Sequence, residues 1–170
     1  MAAKEYLLVD GYNVIFNAPE LKSLADLEHA RARLVHLLVN YAALSGRQVI
    51  VVFDAHRVAG GTERVIEESG VTVVFTAAGE TADSVIERLA GTLAQKGLVY
   101  VVTADYAEQR VVLGQGAYRT PPSEFWQQVQ AASREAAARP GEKQAERYLE
   151  ERLAEDVRRE LDAWRRGKTM

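Results

Sequence analysis

Four short apolar runs, widely spaced along the chain, limit what it can fold into more than any other feature: residues 6–9, 49–53, 71–76 and 98–103. Each is rich in β-branched side chains and apolar throughout. That is the pattern of a strand buried on both faces, as in a parallel sheet. Between the first two, Leu27, Ala30, Leu34, Leu37, Leu38, Tyr41 and Leu44 recur at three- and four-residue spacing and form one helical stripe. Ser23 with Asp26 reads as its capping pair and Gly46 as its stop. A second helix is expected from Thr81 to near Gly97, burying Val85, Ile86, Leu89 and Leu93, and a shorter one after Asp105. The stretch AHRVAGGTERVIEESG, between the second and third runs, reads as a Gly-Gly loop with one or two helical turns. A fifth strand is expected at 117–119, and a helix over 123–134 follows Pro121-Pro122. Strands alternating with helices imply right-handed βαβ crossovers and a three-layer α/β/α sandwich around a central, mainly parallel sheet.

A chain of 170 residues is long enough to bury a sizeable core as one domain. Residues 1–137 carry the alternating pattern. Beyond Pro140-Gly141, residues Tyr148 or Leu149, Leu153, Val157, Leu161 and Trp164 mark one stripe on a highly charged helix, so 138–170 is expected to pack on the same domain. Arg165, Arg166 and Lys168 then read as a solvated tail. The absence of cysteine rules out disulfides, thiolate metal sites and a cysteine nucleophile. No run approaches the roughly 20 apolar residues of a membrane span, and no signal peptide is evident, so a cytoplasmic protein without membrane contact is expected. A net charge of −3 means that any polyanion must be held by a local basic patch or through cations.

The runs end alike. The first ends in Asp10 and the second in Asp54; Glu80 and Asp83 follow the third, and Asp105 the fourth. Parallel strands point their carboxyl ends one way, so these acids fall along one rim, where open α/β sheets bind ligands. Singly, each acid has a plain structural use, as a helix cap, a dipole partner or a turn residue. Jointly they repel: two carboxylates about 4 Å apart cost about 4 kcal/mol at an effective dielectric near 20. A divalent cation removes that conflict. Oxygen donors with neither cysteine nor a paired-histidine motif point to Mg2+ or Mn2+ rather than zinc. Asn13 either adds a neutral oxygen or orients Asp10.

An aspartyl-phosphate phosphatase wants a second acid two residues after the first, and Tyr12 stands there. A receiver domain wants adjacent acids, and Val9 precedes Asp10. Neither GxxxxGK[ST] nor GxGxxG follows the first run. What remains is metal-dependent phosphodiester hydrolysis.

DGYNVI after the first run, VVFDA on the second, ETADSVIE at the third junction and VVTADYAEQ at the fourth resemble the YacP-like NYN domain family, relatives of the PIN nucleases. The resemblance covers about residues 6–134, and its specificity lies in the order of all four motifs. It implies a PIN-like sandwich and a Mg2+- or Mn2+-dependent endoribonuclease cutting single-stranded mRNA, as in mRNA decay, in association with the ribosome. Carried over by position, Asp10, Asp83 and Asp105 would be the core acidic ligands and catalytic residues with Asn13, while Asp54 and Glu80 would stand in the second shell or at an outer ion. One departure is Ala104, where the family's fourth motif often has serine.

An acidic site needs help to hold RNA. Arg57 and Arg64 flank the Gly60-Gly61 loop, and Arg110 and Arg119 lie near the fourth and fifth strand ends. Tyr12 and Tyr106, beside the proposed acids, are candidates to stack a base. Two other readings stay open: an RNA- or ribosome-binding adaptor that keeps the fold without catalysis, and a hydrolase of small phosphate esters.

Overall fold

A computed structural model of the chain describes residues 4–24, 26–54, 64–104, 114, 116–138, 157 and 159. Among them are six strands and five helices: β1 (Glu5–Asp10), α1 (Gly11–Phe16), α2 (Pro19–Lys22), α3 (Leu27–Ser45), β2 (Gln48–Phe53), β3 (Arg64–Glu68), β4 (Val71–Phe75), α4 (Ala82–Leu93), β5 (Leu98–Val102), β6 (Tyr118–Thr120) and α5 (Pro122–Ala137). One sheet runs in the order β3-β4-β2-β1-β5-β6. All pairings are parallel except β3 with β4.

The apolar runs are two-faced. Leu7 and Val9 of β1 join Val51, Phe53, Val73 and Phe75 in the core beneath α3 and α5. Tyr6 and Leu8 point the other way, with Val52, Val74, Val99 and Val101, against Val85, Ile86 and Ala90 of α4. Successive side chains of a strand point to opposite faces, so a sheet covered on both sides favours apolar residues at successive positions in the middle of its central strands. The expected three-layer sandwich is the observed one.

Asp26 caps α3 by accepting from the His29 backbone N–H at 2.8 Å, and Gly46, at φ +73°, closes it in the left-handed region. Ser23 is not that cap: its hydroxyl donates to the Glu20 carbonyl in the preceding turn. Thr81 caps α4, accepting from Ser84 N–H. Val157 is helical, fully buried and part of the core under α3 and α5. The rest of its expected stripe lies outside the described residues, as do the Gly-Gly loop and the helix expected after Asp105.

Between the second and third runs the sequence suggested helical turns, and the described part, β3, is a strand instead. It pairs antiparallel with β4 through a two-residue turn in which Ser69 (φ +44°) and Gly70 (φ +88°) both adopt positive φ. Such primed turns match the right-handed twist of a hairpin. As the edge strand, β3 has no fully buried position and keeps the charges of Glu67 and Glu68, so it lacks the apolar signature of its neighbours.

A carboxylate clasps α5 to α2. Glu20 accepts from Trp126 Nε1 at 2.9 Å with one oxygen and from Gln130 Nε2 at 3.0 Å with the other. Glu20→Ala leaves the indole N–H of a nearly buried Trp126 unsatisfied, and is expected to cost about 1–2 kcal/mol in urea unfolding. Glu20→Gln is expected to keep most of that stability, because one amide oxygen still accepts.

Candidate active site

The cleft is built around the end of β1. The chain leaves β1 on one side for β2 and β4 and on the other for β5 and β6, so the order reverses at β1, the position where open α/β sheets form a crevice beyond their strand ends. Asp10 is the last residue of β1 and the N-cap of α1. Its two oxygens take different partners: Oδ2 accepts from Asn13 Nδ2 at 2.8 Å, and Oδ1 accepts more weakly from Asn13 backbone N–H at 3.4 Å. Asn13 thus donates to both oxygens of Asp10 from its side chain and its backbone.

Gly11 has a steric reason. A Cβ there would lie 2.3 Å from Phe53 Cε1 and 2.5 Å from its Cδ1. The Phe53 ring is fully buried, stacked on Phe75 at 5.7 Å and meeting Tyr12 edge-on at 5.4 Å. The backbone turning out of β1 therefore passes directly over an aromatic ring, and only glycine fits.

Asp10, Asp54 and Asp83 line one cleft of about 540 Å3 with Asn13 and the start of α4. Asp10 is 5% exposed. Burial pushes its carboxyl up from 3.8 to about 6; the Asn13 hydrogen bonds pull it down, and the negative charges of Asp83 and Asp54 add to the rise. Asp83 stands exposed in the first turn of α4, and Asp54 is half-buried just past β2. Acids from three strand ends thus face one cleft.

The other candidates fall elsewhere. Glu80 does not line the cleft; its carboxylate accepts from Arg88 Nη1 of α4 at 2.9 Å. Arg64 begins β3 opposite Phe75, at the same rim but on the outer edge of the sheet. Arg119 is turned to a structural bond, donating Nε–H to the Thr103 carbonyl at 2.9 Å just past β5. Tyr12 borders the cleft, yet it is 6% exposed, its hydroxyl accepts from buried Arg31 Nη1 at 2.8 Å, and Phe16 stacks on its ring. That leaves it little face for a base. Asp105, Tyr106, Arg57 and Arg110 lie outside the described residues.

Two residues the sequence did not single out belong here. Phe16 is 41% exposed and lines the cleft, and Arg31 holds Tyr12 from below. The signal for Phe16 was its position four residues after Tyr12, which shares a helix face only if a helix starts at Gly11. The signal for Arg31 was weaker, a charge on the buried face of α3, four residues after Leu27 and three before Leu34.

All the acid donors are oxygens, and a buried carboxylate crowded by two others suits a hard divalent cation. Among the described residues no three acidic, histidine or cysteine side chains stand close enough to hold an ion by themselves. No described helix is long and apolar enough to cross a membrane.

Residues 7–166 match the family model of the YacP-like NYN domain. The chain is 39% identical to the protein YacP of Bacillus subtilis (strain 168) over 170 residues, 96% of this chain and 98% of that one. It superposes on the crystal structure of Rae1 (YacP) from Bacillus subtilis with a TM-score of 0.69 at 38% identity, covering 95% of each chain. A mutant of that protein gives the same TM-score at 37% identity, covering 94% of this chain and 98% of the other.

Proposed function

The chain belongs to the YacP-like NYN domain family, and from that premise we propose that it is a metal-dependent endoribonuclease that cleaves single-stranded RNA, with mRNA as substrate. The observation that carries the reading is the convergence of Asp10, Asp54 and Asp83, from three separate strand ends, on one cleft at the carboxyl rim of the sheet. Asp10 and Asp83, with Asp105, would hold Mg2+ or Mn2+, and Asp54 would support them. A bound divalent ion supplies polarisation of the phosphate, activation of water and stabilisation of the leaving oxygen.

The chain's own residues do the rest. Asn13 fixes the rotamer of Asp10 through the 2.8 Å bond, so the carboxylate is set before substrate arrives. Asp10 is nearly buried, so little water reaches the carboxylate in the folded chain. A family fold kept only as an adaptor has no use for a buried carboxylate facing two further acids; holding Asp10 there costs stability that a ligand must return.

Cleavage of a labelled single-stranded mRNA by wild type and by Asp83→Asn tests this. Cutting is expected with Mn2+ or Mg2+, to stop with chelator and to fall at least a hundredfold in the variant. Arms with and without translating ribosomes test the association that the family resemblance implies. Cutting that persists with chelator and in Asp83→Asn would assign the activity to a different site. Ribosome binding without any cutting would favour the adaptor.

A further inference from the structure

We propose that Arg31 is a positioning residue of the cleft: through the Tyr12 hydroxyl it fixes the helix α1, and with it the pairing of Asn13 with Asp10. Its consequence for the ion rests on the reading of the cleft as a divalent-cation site. Arg31 stands on the buried face of α3 and is 2% exposed. Among the described residues its one hydrogen bond runs from Nη1 to Tyr12 Oη at 2.8 Å, across 19 residues of chain. Its Nε, buried as well, has no hydrogen-bond partner. A guanidinium taken out of water and given a single neutral acceptor costs stability, and an apolar side chain of similar length would cost less. Stability therefore gives no reason for arginine here. Its reach and its directed N–H do.

What needs holding is α1. It has six residues, and a helix shorter than about a dozen is marginal on its own, so its orientation is set by what it packs against. Val14 and Ile15 are fully buried in the core. Apolar contacts carry no direction, however, and leave rotation of the helix about its axis loosely fixed. The Arg31 bond is directional, and it grips Tyr12 at the tip of a long ring, where a small rotation moves the gripped atom most. Phe53 meets the same ring edge-on, with centroids 5.4 Å apart. Tyr12 stands in the chain between Asp10 and Asn13, the two partners of a 2.8 Å side-chain bond. A rotation that freed Tyr12 would carry Asn13 away from Asp10 Oδ2. Arg31 thus acts on the acid at the centre of the cleft through its neighbour.

The test follows the Asn13 side-chain amide by NMR in metal-free protein. Its resonance in wild type is expected to lie apart from those of exposed amides, because Nδ2 donates to Asp10. Arg31→Met keeps the length and removes the donors, and Tyr12→Phe removes the acceptor. Each is expected to move the signal toward the exposed position, and Arg31→Lys, which keeps a donor, to restore it in part. Mn2+ affinity, followed by electron paramagnetic resonance, is expected to fall about tenfold in either single variant. It should fall no further in Arg31→Met/Tyr12→Phe, since both changes remove one contact. That double variant is expected to melt no lower than wild type. Gly97→Ala, crowded at the opposite end of the sheet, is expected to leave the Asn13 signal and Mn2+ affinity unchanged.

An Asn13 signal unmoved in both Arg31→Met and Tyr12→Phe would overturn the positioning role. So would losses of Mn2+ affinity that multiply in the double variant. A double variant that melted well below wild type would show that arginine is kept for stability instead. Wild type that bound no Mn2+ would overturn the cation reading, while the Asn13 signal would still decide whether Arg31 sets the pair.

Discussion

Asp10→Asn is expected to abolish cleavage and, in metal-free protein above pH 7, to raise the melting temperature. The two effects have one cause. Folding moves the Asp10 carboxyl from 3.8 to about 6, chiefly by burial and further by Asp83 and Asp54, against the pull of the Asn13 hydrogen bonds. Between about pH 4 and pH 6 the folded protein keeps a proton that the unfolded chain has released. The folded state is favoured by this group below that window, loses the advantage as pH rises through it, and carries the full cost above it. A shift of that size corresponds to about 3 kcal/mol.

Asparagine removes the charge and keeps an oxygen for one of the Asn13 bonds. A gain of about 1–3 kcal/mol is therefore expected at pH 7.5, or about 3–10 °C in a chain of this size. At pH 4 the difference should nearly vanish, because aspartic acid there is neutral in the fold. Melts of both proteins from pH 4 to 8 check the sign, and Mn2+ is expected to stabilise wild type but not the variant. A lower melting temperature for Asp10→Asn at pH 7.5 would show that the carboxylate is held by favourable contacts rather than tolerated at a cost.

The second large effect is expected at Gly11. Gly11→Ala puts a methyl 2.3 Å from a ring that Tyr12 and Phe75 already confine, so Phe53 cannot swing away. Overpacking of this kind costs about 1–3 kcal/mol. The strain falls beside Asp10, so cleavage is expected to drop at temperatures where the variant is fully folded. Gly97→Ala is the control. Its methyl would lie 2.2 Å from the Lys4 carbonyl oxygen, at the start of β5, the opposite end of the sheet from the cleft. Comparable loss of stability is expected there, with cleavage unchanged once the protein is folded. If Gly11→Ala melted like wild type, the close approach of Phe53 would not be the reason for glycine in DGYN.

Local signals carried much of this structure. The central strands could be read because both their faces are covered, so Leu7 and Leu8 had to be apolar alike. The edge strand β3 could not be read that way, since only its pairing with β4 makes it a strand; the Ser69-Gly70 turn was its one local mark. The helix α1 was hidden by its length of six residues and by the glycine that opens it. With it went Phe16, whose place beside Tyr12 exists only on a helix. Ser23 looked as good a cap as Asp26, because both residue types accept hydrogen bonds and only the backbone path decides which one does.

The sequence by itself determined the alternation of strands and helices and put an acid at each strand end, because burial on two faces and the chemistry of turns act within a few residues. The tertiary structure alone decided which acids meet. The order β3-β4-β2-β1-β5-β6 sets Asp10, Asp54 and Asp83 around one cleft, gives Glu80 to Arg88 and Arg119 to the Thr103 carbonyl, and withdraws Asp10 from water. Strand order and burial are sums over residues far apart in the chain, and a carboxylate's charge depends on both.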